Sequence, residues 1–106
     1  MAAFDIERID EVIHGRVRLG IMMYLANAET ADFNELKAAL NTTQGNLSVH
    51  LSKLEQAGFV EIVKSFLGKR PNTRIRIARA GRKALDAYLQ VLSDIIAQQA
   101  PHASRK

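Results

Sequence analysis

A chain of 106 residues with 47% apolar and 25% charged residues is long enough for one domain with a modest core and too short for two. It contains no cysteine, which excludes a disulfide framework, thiolate metal sites and thiol redox sensing. Its longest apolar run, Leu19 to Ala28, falls well short of the roughly 20 residues that span a bilayer. Charge is unevenly placed: residues 1–63 hold nine acids and five bases, residues 64–106 two acids and ten bases. Between Lys64 and Lys83 there are eight Lys/Arg and no acid. One basic block of this kind points to a polyanionic partner, the alternative being a charged face kept for solubility. The N-terminal "MAAFDIERID" is acidic and lacks a signal-peptide pattern, so the expected location is the cytoplasm.

In chain order, "FDIERIDEVIH" sets Phe4, Ile6, Ile9, Val12 and Ile13 at helical spacing and predicts a first helix ending at Gly15. "RVRLGIMMYLANA" carries the broad apolar stripe of a central core helix, with Val17, Leu19, Ile21, Met22, Leu25 and Ala26. "ETADF" reads as a polar link. "NELKAAL" predicts a short helix capped by Asn34, with Leu36, Ala39 and Leu40 inward and Asn41 in the left-handed position that ends it. Thr43, with Thr42 as the near alternative, then caps a helix over about 43–57, on which Leu47, Leu51 and Leu54 share one face and which Gly58 stops. Two helices joined by so short a turn make a helix-turn-helix.

Composition next turns β-rich. In "FVEIVKSFLGKRPNTRIRIAR", Val60, Ile62 and Phe66 alternate with Glu61, Val63 and Ser65, and "TRIRI" alternates Arg with Ile. "LGKRPN" between them has the Gly, Pro and Asn of a hairpin loop. The hairpin, about 60–77, has a cationic tip (Lys69, Arg70) and a cationic second strand (Arg74, Arg76). "AGRKALDAYLQVLSDIIAQQ" is a long amphipathic helix, and "APHASRK", residues 100–106, a frayed tail. The expected fold is mainly α with a small β-hairpin wing: one winged helix-turn-helix domain over 1–99, with N- and C-terminal helices available for dimerisation.

The outward face of the helix at 43–57 is unusual. With Leu47 at the centre of the buried face and about 100° per residue, Gly45, Val49, Ser52 and Gln56 point away from the core, flanked by Ser48 and Lys53. A plain surface helix would carry Glu and Lys there. Ser and Gln can bond base edges, Val can touch a thymine methyl, and Gly permits close approach, so the face suits the DNA major groove. Gln44 and Asn46, near the helix start, can pair with adenine or phosphate. Lys69, Arg70 and Arg74 suit the adjacent backbone or minor groove, the alternative being a solvated loop.

These residues also resemble a family. "TTQGNLSVHLSKLEQAGFVEI" is similar to the T-x-x-N-L-S-x-H-L-x-x-L-E-x-A-G-[FY]-V pattern of the MarR/ArsR superfamily of transcription regulators. "IHGRVRLGIMMYL" and "ARAGRKAL" resemble its core helix and the opening of its last helix. The likeness runs from about Ile13 to Leu92 and is closest to the short MarR-like winged-helix proteins. Two departures are Ala78 in place of a capping Thr and Arg16 in place of a first-turn Pro. The resemblance implies a regulator of transcription, more often a repressor than an activator, acting as a homodimer on a pseudo-palindromic duplex operator. It also leaves room for a small-molecule effector between core and dimer helices, as in some relatives, although no residue here specifies one.

For the dimer, the apolar surplus lies in Leu85, Leu89, Leu92 and Ile96 on one seam, broadened by Tyr88 and Ile95, and in Ile6, Ile9 and Ile13 of the first helix. The two helices can bury each other within one chain or across a two-fold axis. Thr43, Gln44, Gly45, Asn46, Ser48, Val49, His50, Ser52, Lys53, Lys69, Arg70 and Arg74 form the expected DNA surface. His50 is expected to pack or touch phosphate, because His14 and His102 share no ligand spacing with it. Arg18 suits a structural or a phosphate-binding role. The residues offer no catalytic pair, phosphate-cradling glycine loop, metal site or cofactor signature, so an enzyme is not expected. A winged-helix adaptor for protein or RNA is the alternative function, and weak salt dependence of DNA binding would favour it.

Overall fold

The computed structural model describes residues 5–103, with side chains as far as residue 99. Phe4 and residues 104–106 of the expected tail lie outside the described residues. The elements are α1 (Arg16–Ala28), β1 (Thr30–Asp32), α2 (Phe33–Ala39), α3 (Gln44–Gln56), β2 (Val60–Leu67), β3 (Arg70–Ile77) and α4 (Arg79–Ala103). This is the expected winged helix-turn-helix order, with an additional strand. The sheet is antiparallel in the order β1-β3-β2.

The predicted first helix does not form; a single 3₁₀ turn, Ile6–Arg8, stands in its place. The reason is local competition for backbone groups. The Asp5 carboxylate accepts from the Glu7 N–H at 3.0 Å, and Asp10 accepts from Val12 at 2.8 Å and Ile13 at 3.2 Å. Such short-range bonds offer the backbone an alternative to the helix ladder. Arg18 takes carbonyls the ladder would need: Nε donates to Val12 O at 2.5 Å, and Nη2 to Glu11 O at 3.3 Å and His14 O at 3.5 Å.

The helix-turn-helix rests on two similar chain reversals. α2 is capped not by Asn34 but by Asp32, which accepts from Glu35 N at 2.7 Å while Glu35 accepts from Asp32 N, a capping box. At its other end Asn41 adopts φ 51°, and Asn41 N and Thr42 N donate to Ala38 O and Lys37 O. Gly58, at φ 80°, does the same for α3, with Gly58 N bonding Glu55 O and Phe59 N bonding Leu54 O. Both satisfy carbonyls that a helix end leaves bare. Thr43 caps α3 as expected, its hydroxyl accepting from Asn46 N at 3.1 Å.

One core joins these parts. Ile21, Met22 and Leu25 of α1, Leu36 of α2, Leu47 and Leu54 of α3, Val60 of β2 and Ile75 of β3 are all fully buried. Each such side chain contributes about 1.5–3 kcal/mol by leaving water. Ala39, expected inward, is exposed. "TAD", read as a link, is β1: Ala31 pairs with Ile75 and is buried, which a three-residue segment without alternation does not announce. The hairpin turn is tighter than expected. Only Gly68 and Lys69 separate the paired residues Leu67 and Arg70, and a positive φ at Gly68 alone fits a type II′ turn. Pro71 and Asn72 therefore belong to the strand.

α4 starts against the end of α3. Ala78 N donates to Phe59 O at 2.9 Å and Ala78 O accepts from Arg82 N at 3.0 Å, so Ala78 is the residue before the first helical turn. It offers no side-chain oxygen to the free N–H groups there. Ala78→Ser is expected to raise stability by about 1 kcal/mol, read as an increase of roughly 4–8 °C in the thermal midpoint. The helix runs to Ala103, so the expected tail is helical through its first residues. At 25 residues it is roughly 37 Å long, the longest element of a molecule that extends 59 Å along its long axis. Among the described residues no helix is long and apolar enough to cross a membrane.

Candidate nucleic-acid interface

α3 presents two chemically distinct faces. Leu47, Leu51 and Leu54 are buried; Gln44, Gly45, Ser48, Val49, Ser52, Lys53 and Gln56 are exposed, Val49 at 55%. A Cβ added to Gly45 would meet nothing within 4 Å, so packing does not require glycine there. Asn46 is less free than expected: its side-chain N–H donates to Thr42 Oγ1 at 2.9 Å and holds it back over the turn.

α3 and the wing face each other across a cleft of about 650 Å³. Gln44, Ser48, Ser52 and Glu55 of α3 line it, as do Ile62, Lys64, Pro71, Asn72 and Thr73 of the wing and Asp32, Phe33 and Asn34 at the start of α2. Side chains alternate across a strand, so the pairing decides which wing residues reach this cleft. Ile62, Lys64 and Phe66 of β2 share a face with Ile75, Thr73 and Pro71 of β3. Glu61, Val63, Ser65 and Leu67 share the opposite face with Arg76, Arg74, Asn72 and Arg70, although Asn72 also borders the cleft.

That division rearranges the expected cationic set. Lys69 and Arg70 stand exposed at the tip, as the sequence suggested. Arg74 is exposed but on the sheet face away from the cleft, and Arg76 beside it donates to the Glu61 carboxylate, its Nε at 3.1 Å, so its charge is compensated. Lys64 was not singled out from the sequence, yet it lies on the cleft wall; its position in phase with Ile62 was the available signal. Phe66, expected to alternate inward with Val60 and Ile62, is 69% exposed because the hairpin has by then left the core.

His50 sits half-buried at the edge of α3, with Nδ1 3.0 Å from Nη1 of Arg18. A guanidinium has only donors, so Nδ1 accepts, the ring is neutral and its proton is on Nε2. Burial, then the charges of Arg18 and Lys53, hold its pKa below the usual histidine value. Arg18 is thereby shown to be a structural tie between the N-terminal turn and α3. On the other side of that turn, His14 Nδ1 lies 2.7 Å from the Tyr88 hydroxyl of α4. Among the described residues no three His, Asp or Glu converge in a way that could hold a metal ion.

The surfaces expected to serve a dimer divide in two. Ile13, Leu85 and Tyr88 are buried within the chain's own core, together with Val91, and are not free for a partner. The N-terminal segment packs along α4 of the same chain, as His14–Tyr88 and the Arg8–Asp94 ion pair at 3.5 Å show. Ile6, Leu89 and Ile96 remain exposed, Ile96 at 66%, with Ile9, Leu92 and Ile95 half-buried beside them.

Residues 17–96 match the family model described as a winged helix DNA-binding domain. An uncharacterised protein of Methanocaldococcus jannaschii is 43% identical over 79 residues, 74% of this chain and 86% of that protein. The structure of a transcriptional regulator homologue from Pyrococcus horikoshii superposes with a TM-score of 0.83 at 30% identity, covering 92% of this chain and 97% of that one. A MarR-family transcriptional regulator from Silicibacter pomeroyi shares the fold, with a TM-score of 0.61 at 18% identity over 86% of this chain and 58% of its own. The two solved structures are of a transcriptional regulator homologue and a transcriptional regulator.

Proposed function

The chain belongs to the winged helix DNA-binding domain family, and from that premise we propose that it is a homodimeric, sequence-specific regulator of transcription, acting as a repressor in the cytoplasm. α3 enters the major groove, and the wing follows the neighbouring backbone or the minor groove. One observation carries this reading: α3 has an uncharged outward face made of Gly45, Ser48, Val49 and Ser52, and its Ser48 and Ser52 share an open cleft with Lys64 of a wing whose tip bears the exposed Lys69 and Arg70. Ser and Gln in such a position bond base edges and Val meets a thymine methyl, while the cations neutralise phosphate. The exposed apolar residues Leu89 and Ile96 along α4 suit a two-fold partner, which would place two copies of α3 on a pseudo-palindromic site.

The test is selection of bound sequences from random duplexes, followed by affinity against salt for the selected site. A pseudo-palindromic site and a steep salt slope are expected. Lys69→Ala and Arg70→Ala should each reduce that slope by about one unit, the value for one phosphate contact. No enriched site together with a shallow slope would overturn the reading and favour an adaptor for another macromolecule.

Gly45 provides an independent check. With open space around its Cβ, Gly45→Ala should raise stability by roughly 0.5–1 kcal/mol through helix propensity alone. If the glycine serves close approach to DNA, the same change weakens affinity for the selected site by about tenfold. A stabilised variant with unaltered affinity would remove Gly45 from the interface.

A further inference from the structure

The wing changes character halfway along. Val60, Ile62, Ile75 and Ile77 belong to the core or pack against it, whereas Val63, Phe66 and Leu67 have no place in it. Phe66 and Leu67 are 69% and 67% exposed immediately before the Gly68–Lys69 turn. No packing within the chain accounts for an aromatic and a leucine at this position, beside a turn whose own chemistry calls for residues such as Gly, Asn, Asp and Ser.

The surroundings identify the partner. The tip lies inside the basic stretch between Lys64 and Lys83, which contains no acid, and Leu67 is paired directly with Arg70. A second copy of the wing would set this charge against itself. Phe66 shares its sheet face with Lys64 and faces Pro71, both strands lining the cleft opposite Ser48 and Ser52. Strand residues rise about 3.3 Å each, so Phe66 stands roughly 7 Å farther out than Lys64 on the side where duplex backbone would run. A backbone held between α3 and the wing brings the tip to the adjoining minor groove. That groove is about 6 Å wide in B-DNA, too narrow for a two-stranded ribbon with its side chains. Apolar side chains inserted at a base step open it, by partly unstacking the step and kinking the duplex.

We infer that the wing tip is an apolar wedge for duplex DNA: Phe66, with Lys64 on its own sheet face and Lys69 and Arg70 at the adjoining turn, enters the minor groove beside each α3 site and unstacks one base step. The inference rests on the DNA-binding reading and adds to it a source of sequence preference. Steps that deform cheaply, TA and CA/TG, are favoured under the wing although no side chain bonds their edges.

The experiment uses the full chain and the selected duplex, with 2-aminopurine substituted in turn along the segment flanking each half-site. Anisotropy reports binding, 2-aminopurine fluorescence reports unstacking, and energy transfer between end labels reports the bend. Wild-type protein is expected to brighten the probe at one step per half-site and to shorten the end-to-end distance. Phe66→Ser should abolish the brightening and weaken binding by about tenfold, whereas Phe66→Met should restore the brightening in part. Lys69→Ala should weaken binding yet keep the brightening once the duplex is saturated. Tight binding without brightening or bending would overturn the wedge and leave the regulator intact. Absence of binding to any duplex would overturn both. Binding of the wild type, but not of Phe66→Ser, to vesicles of phosphatidylserine, without any change in the DNA probes, would assign the tip to a lipid surface instead.

Discussion

Gly81→Ala is expected to lower stability by about 3 kcal/mol or more, read as a drop on the order of 10–20 °C in the thermal midpoint. In most helices the exchange would be favourable, because glycine costs about 1 kcal/mol relative to alanine. Here a Cβ on Gly81 would lie 2.1 Å from the carbonyl oxygen of Phe59 and 2.9 Å from its carbon, with Met22 Cε at 3.1 Å. The first two obstacles are backbone, and that carbonyl also accepts the Ala78 N–H, so it cannot move without loosening the start of α4. The neighbouring Arg82 ties the same turn to α1, donating to Ala26 O at 3.3 Å and lying 3.8 Å from Glu29. Displacing α4 therefore disturbs the junction of α1, α3 and the wing together. Thermal or urea unfolding of the purified variant decides the matter; a midpoint at or above that of the wild type would show that α4 can shift without penalty.

Leu47→Ala and Val49→Ala, two positions apart on α3, should have opposite signatures. Leu47 is fully buried in the common core, so truncation leaves a cavity and costs about 2–5 kcal/mol. Val49 is 55% exposed, and its loss should alter stability by no more than about 0.5 kcal/mol. On the DNA reading the order reverses for recognition. Val49→Ala should reduce affinity for the selected site by roughly tenfold where the groove offers a thymine methyl, with the salt slope unchanged. Leu47→Ala, measured at a temperature where it is folded, should bind nearly as well as the wild type. Equal affinities for wild type and Val49→Ala would remove that side chain from the interface.

The parts of this protein that were legible in its sequence are those governed by neighbours close along the chain. Thr43 caps α3, Asn41 and Gly58 end α2 and α3, and the leucines of α3 share a face, because capping chemistry, φ preference and helical period act within a turn or two. The two faces of α3 follow from the same spacing. The expected first helix failed for a reason that is only partly local. Asp5 and Asp10 can be seen to compete with it, but Arg18 takes its carbonyls from a helix that folds back on it.

Long-range pairing accounts for the remainder. That "TAD" is a strand depends on Ile75 lying alongside Ala31, and that Arg76 is compensated depends on Glu61 lying opposite it. The tightness of the Gly68–Lys69 turn fixes the register of the hairpin, and the register sends Lys64 toward the cleft and Arg74 away from it. Ile13, Leu85 and Tyr88 read as apolar surplus to be buried within the chain or against a partner, and the fold buries them in its own core, leaving Leu89 and Ile96 outside. By itself the sequence determined the helix-turn-helix, the uncharged face of α3 and the basic wing, because these rest on composition and period. Which cations meet the cleft, which apolar residues remain for a partner and why Gly81 admits no side chain were decided by tertiary structure, since each depends on residues distant in the chain being brought within a few ångströms.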